Sequence, residues 1–172
     1  MKGILFVLGM FSAVQLSAGP LLSFNGDDLG FKYPESFKVS EQVDNEGIKE
    51  IFIEGPNRTS IFVTIFPGRM ELDLDELADT MHGQLESNYK DLDFSVRDRT
   101  KQSKNIGDKL VAGVNDTYTF KRLFSESKMS YSYYLVIGTE STYLIAEEFQ
   151  VKYMKESIGL VNIILGSMEF KK

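Results

Sequence analysis

DTYTFKRLFSESKMSYSYYLVIGTESTYLIAEEF, residues 116–149, alternates with a period of two. In its first run, residues 116–124, Tyr118, Phe120 and Phe124 fall on one side, with Thr117, Thr119 and Lys121 opposite. In its second run, residues 129–137, Met129, Tyr131, Tyr133, Leu135 and Ile137 share a side. Residues 138–141 form a polar turn, and residues 142–149 return. Successive side chains of a strand point to opposite faces, so this period marks β-structure. Three such runs joined by short links predict an antiparallel meander.

The pattern continues upstream. Residues 21–24 read as a short strand, followed by the turn Asn25-Gly26-Asp27-Asp28. Residues 30–33 alternate Phe31 and Tyr33 around Lys32 and stop at Pro34, which cannot donate to a ladder. Residues 37–40 resume as a strand. Residues 48–54 set Ile51 and Ile53 against Phe52, a strand apolar on both faces. The turn Gly55-Pro56-Asn57 leads to residues 60–66, which complete a hairpin. Pro67-Gly68 ends it and suits a type II turn, where glycine supplies the positive φ.

Two helices interrupt the strands. Asp73 is placed to cap the first, with Glu76 three residues later in a capping-box pattern. Leu74, Leu77, Ala78, Met81 and Leu85 then form one apolar stripe that fades near Tyr89. Residues 93–99 read as a strand and residues 109–114 as a weak, separate one. The second helix spans residues 152–165, with Met154, Ile158, Val161 and Leu165 on its stripe, and residues 167–170 close the chain as a strand. Strands come in runs and outnumber helices. The expected class is therefore α+β, a twisted, mostly antiparallel sheet with helices packed on its faces.

Composition narrows the function. The chain has 172 residues, 42% of them apolar, which suits one folded domain. Its 13 Phe and 8 Tyr, without Trp, favour a sheet-rich core. The net charge is −6, so nucleic acid is not an expected partner. There is no cysteine, which excludes disulfides, thiol catalysis, thiolate metal sites and the lipobox of a lipoprotein.

Residues 1–18 read as a secretory signal peptide. Met1-Lys2 supplies the positive start, residues 4–14 the apolar core, and Gln15-Leu16-Ser17-Ala18 ends in small residues, with cleavage expected after Ala18. Gln15, Ser17 and Pro20 make the run too short for a membrane-spanning anchor. An uncleaved anchor and a buried strand are the competing readings. No arginine pair precedes the run. The expectation is a signal at 1–18, a single domain at 19–172, a periplasmic or secreted location, and no membrane span after cleavage. The sequons Asn57-Arg58-Thr59 and Asn115-Asp116-Thr117 matter only in a eukaryotic host.

Chemistry-bearing clusters are few. His82 is the only histidine, with Asp79 and Glu86 on neighbouring turns. A metal site there lacks a second histidine. A Ser-His-Asp relay through Ser87 fails because five residues place the serine about 140° around the helix. A solvated helix flank is the plain reading. Glu71, Asp73, Asp75 and Glu76 lack the glycine and closing glutamate of a calcium loop and suit a helix start. Asp27-Asp28 reads as a turn. Glu147 and Glu148 point to opposite faces of a strand, as do Tyr133 and Tyr134. No glycine-rich phosphate loop occurs. No catalytic, cofactor-binding or metal site is expected, and no motif marks a partner-binding residue.

Three phrases resemble the PsbP-like superfamily, which includes a Ran-binding Mog protein and DcrB-like periplasmic proteins. Gly30-Phe31-Lys32-Tyr33-Pro34-Glu35-Ser36-Phe37 is similar to its early strand. Leu74-Asp75-Glu76-Leu77-Ala78 is similar to the start of its first helix. Residues 163–170, from Ile163 to Phe170, resemble its closing helix-to-strand step. The resemblance implies an antiparallel sheet with helices on its faces, and mostly non-catalytic members that bind or help assemble larger complexes. With the export signal, it implies a DcrB-like envelope protein that is not an enzyme. The leading expectation is a protein that binds or supports assembly of an envelope protein complex. The alternatives are a small-ligand carrier with an aromatic pocket and, more remotely, a hydrolase acting through His82.

Overall fold

The computed structural model describes residues 19–88, 93–122 and 125–171. The expected signal segment at 1–18, Tyr89 and Phe124 lie outside these. In chain order the elements are β1 (Leu21–Asn25), β2 (Leu29–Pro34), β3 (Lys38–Val43), β4 (Lys49–Gly55), β5 (Thr59–Pro67) and α1 (Leu74–Asn88). There follow β6 (Asp93–Ile106), β7 (Lys109–Arg122), β8 (Ser125–Ile137), β9 (Ser141–Gln150), α2 (Met154–Gly166) and β10 (Glu169–Phe170).

The meander forms as expected, and β4 and β5 pair as a hairpin. Among the described residues, seven strands make one antiparallel sheet in the order β3-β4-β5-β9-β8-β7-β6. A second, small antiparallel sheet has the order β1-β2-β10.

Two expectations need correction. Residues 109–114 and 116–124 are not separate strands: Lys109–Arg122 runs unbroken. Its partner β6 extends to Ile106, past the Arg99 limit read from the sequence. Residues 100–105 are polar and charged, so periodicity gives no signal there, and only Ile106 at the end is a core residue. They lie on the sheet edge, where charged side chains are tolerated and discourage pairing with another chain. The hairpin link is Gly107-Asp108, with Gly107 at φ 59°, the positive value a tight two-residue turn demands.

Both faces of the large sheet are covered. On one face, Ile51, Ile53, Ile61, Val63, Tyr134 and Ile145 pack with Val161, Ile164 and Leu165 of α2 and with Leu29 and Phe31 of β2. On the other, Val114, Tyr118, Tyr133 and Met129 pack beneath Leu74, Ala78, Met81 and Leu85 of α1. The molecule is thus layered, with α1 on one side and α2 with the small sheet on the other.

The placement of α1 follows from polar contacts at its start. Asp73 Oδ1 accepts from the backbone N–H of Asp75 at 2.8 Å and of Glu76 at 3.0 Å, as a helix cap should. Thr142, fully buried on β9, accepts from Met70 N at 2.8 Å and donates to Gly68 O at 3.1 Å. That fixes the link between β5 and α1.

Arg99 then clamps the helix to the sheet. Its Nε and Nη2 reach Asp116 Oδ1 and Oδ2 at 2.7 and 2.8 Å, and its Nη1 reaches Asp79 Oδ1 of α1 at 2.7 Å. Asp116 is 0% exposed and also accepts from the Tyr118 hydroxyl at 3.0 Å. A carboxylate this buried needs its cation. Arg99→Ala is expected to cost about 3 kcal/mol of stability in urea unfolding, because Asp116 is left buried and uncompensated. Arg99→Lys should recover only part, since an ammonium cannot span two oxygens and a third partner at once. A loss for Arg99→Ala within the surface-pair range, under about 1 kcal/mol, would contradict the clamp.

Candidate functional site

The stripe on α1 covers β7 and β8 but leaves the neighbouring strands half open. The result is a groove of about 410 Å³ between α1 and the sheet. Phe52 of β4 and Phe62 of β5 form one wall, their rings edge to face at 5.5 Å. Met81 and Leu85 of α1 form the other, and Tyr131, Tyr133, Leu144 and Ala146 floor it. Local sequence explains this. Strand β4 is apolar on both sides: Ile51 and Ile53 enter the main core, and Phe52 is left to the opposite face. The volume lies in the range that holds small ligands or a few side chains.

Carboxylates give the groove its polarity. Glu148 lines it and Glu50 stands at its side. Burial pushes the Glu148 carboxyl above its ordinary value, while a hydrogen bond from the Tyr131 hydroxyl and the charge of Arg58 pull the other way. Burial likewise raises the Tyr118 and Tyr133 hydroxyls, so both stay neutral donors at physiological pH. An apolar trough holding a carboxyl group favours an apolar guest with a cationic end.

The residues singled out in the sequence separate. Asp79 turns to Arg99. The His82 ring stacks on Tyr118 at 5.8 Å with 17° between planes and is half-buried, so the helix flank it forms is only partly solvated. Glu86 and Ser87 are exposed. Among the described residues, no three His, Cys, Asp or Glu side chains gather to hold a metal. Asp75 pairs with Lys101 at 3.1 Å, and Asp28 pairs with Lys49. Tyr133 and Tyr134 are both buried, on opposite faces. Glu147 faces α2 and pairs with Lys104, whereas Glu148 faces the groove.

Sequence reasoning missed two ion pairs, Arg99 with Asp116 on the α1 side and Lys104 with Glu147 on the α2 side. Asp116 carried a usable signal: it sits between Val114 and Tyr118 on an apolar face, where a carboxylate demands a partner.

No family model matches the chain, and no curated protein matches it. Solved structures do. The solution structure of cyanobacterial PsbP (CyanoP) from Synechocystis sp. PCC 6803 superposes with a TM-score of 0.51 at 11% identity, covering 95% of this chain and 99% of that one. The fold is PsbP-like. A crystal structure from Bacteroides thetaiotaomicron VPI-5482 also aligns at a TM-score of 0.51, with 13% identity over 90% of this chain. The present chain covers 49% of that one, about half its length. At such identities the likeness is one of fold. Among the described residues of this PsbP-like chain, no helix is long and apolar enough to cross a membrane.

The raised Glu148 carboxyl has a thermodynamic consequence. Folding favours its protonated form, so it binds protons more readily in the native state. Stability should therefore rise as pH falls from neutral toward the ordinary carboxyl value near 4.5. Glu148→Gln should unfold at a higher temperature than the parent at pH 7 and show a shallower gain on acidification. Equal or lower stability of the variant at pH 7 would show that the groove does not desolvate this charge.

Proposed function

We propose that the chain is an exported, non-catalytic binding protein of the bacterial envelope, and that the α1 groove holds an apolar, lysine- or arginine-bearing segment of a partner protein. One observation carries this reading: an aromatic trough beside a covered helix, with Glu148 set into it. Aromatic and methionine side chains supply contact area at small entropic cost, and a half-buried carboxylate selects for a basic residue. The leader-like residues 1–18 support export. The PsbP-like fold supports a binding role through the resemblance to superfamily members that act on assemblies.

A second reading, a carrier for an apolar amine, draws on the groove's volume, which suits one small molecule. The two share a site and differ in the occupant.

The test is affinity capture from envelope extract with the parent chain and with Phe62→Asp, both checked for native circular dichroism. A defined partner protein recovered by the parent and lost with Phe62→Asp is the expected result. A partner retained by Phe62→Asp, or no partner while native mass spectrometry finds a bound small molecule, would overturn the protein-partner reading.

A further inference from the structure

The opposite face of the sheet holds a second cavity, of about 610 Å³, between α2 and strands β6 to β9. Its lining is unlike the groove's. Asn115 Nδ2 lies 2.7 Å from Ser130 Oγ, 2.9 Å from Ser132 Oγ and 3.1 Å from Tyr131 O. Ser132 also bonds the Tyr134 hydroxyl. That hydroxyl accepts from Gln102 Nε2 at 2.8 Å and donates to Glu147 Oε2 at 3.4 Å, and Glu147 in turn pairs with Lys104. One continuous polar network therefore lies across the sheet.

Stability does not call for this arrangement. Glu147 is 2% exposed and the Lys104 side chain 16%. A buried ion pair is often replaceable by apolar residues at no cost, so its presence on a cavity wall points to use. Ser130 and Ser132 are buried, and their cross-strand neighbours Thr117, Asn115 and Glu147 extend the polar patch.

The chemistry of the wall narrows the guest. Lys104 and Glu147 cancel, so no net charge selects an ion. The wall can give and take hydrogen bonds in similar number. Among the described residues, the Ser130 hydroxyl accepts from Asn115 but donates to none and Asn115 Oδ1 accepts from none, while Lys104 is held by Glu147 and by the Tyr134 ring 6.0 Å from its Nζ. Asn162 of α2 faces the same space from the other side. Phe149, Met154 and Ile158 add an apolar wall, and Ile158 is 40% exposed. Mixed donors and acceptors beside an apolar surface match a pyranose ring, which carries hydroxyls around its edge and C–H groups on its faces.

We infer that this cavity binds a neutral sugar ring, held by Asn115, Ser130 and Asn162 against the Phe149–Met154–Ile158 wall. The site is independent of the α1 groove. It can be tested by titrating glucose, N-acetylglucosamine and maltose into isotopically labelled full chain and following amide and methyl resonances. Acetate, inorganic phosphate and methylammonium serve as charged probes. At least one sugar should saturate shifts confined to residues around Asn115, Ile158 and Asn162. Asn162→Ala, an exposed helix change that should fold normally, is expected to weaken that binding about tenfold, and Asn115→Ala at least as much. Phe62→Asp should leave it unchanged. Absence of saturable shifts with all three sugars, or tighter binding of a charged probe to the same residues, would overturn the inference.

Discussion

Strands β7 and β8 are buried on both faces, and that constraint organises the whole molecule. A strand with one wet face needs one cover, but these need two. Tyr133 and Tyr134 are adjacent in the chain, point to opposite sides, and are each 1% exposed. Burying both requires α1 above the sheet and α2 with the small sheet below it. Full burial of one such side chain contributes on the order of 2 kcal/mol. Losing either layer would therefore expose several at once and remove a large part of a typical domain's net stability.

The two covers meet the sheet differently, and the difference produces the two cavities. The apolar stripe of α1 lies across β7 and β8, where the Arg99 clamp holds it, and leaves Phe52 and Phe62 half open. The apolar stripe of α2 packs beside the ends of β6 and β7, near Ile106 and Val111, and leaves the serine-bearing part of β8 under a cavity. Gly113 belongs to this second side. A Cβ there would lie 2.4 Å from the Tyr134 ring, so only glycine lets that ring lie flat on β7 and carry its hydroxyl to Glu147. The same sheet thus presents an apolar, acidic-edged trough on one face and a neutral polar basin on the other.

Most of the architecture was legible in the residues. Periodicity of two located the meander, and periodicity of three to four located both helices. What it could not reveal is informative. Residues 100–106 form a strand through pairing with β7 and not through their own pattern, because an edge position tolerates polar side chains. On the serine-bearing side of β8, Ser130, Ser132, Tyr134 and Val136 are all buried. Alternation reports polarity, and the burial of a polar side chain depends on partners such as Asn115 that are distant in sequence. Arg99, Asp79 and Asp116 converge for the same reason. Glu147 and Glu148 were assigned to opposite faces correctly, because that follows from strand geometry alone. Their different fates, an ion pair against a groove carboxylate, depend on Lys104 lying in a strand.

The central claim is that one sheet, covered twice, carries two binding surfaces of unlike chemistry. Methyl resonances report on both at once: Met81, Leu85, Leu144 and Ala146 line the groove, while Met154 and Ile158 line the polar cavity. Titration with an apolar, lysine-containing peptide should shift the first set and leave the second still. Titration with a neutral sugar should do the reverse. Shifts of both sets by either ligand, or of neither by both, would contradict the account.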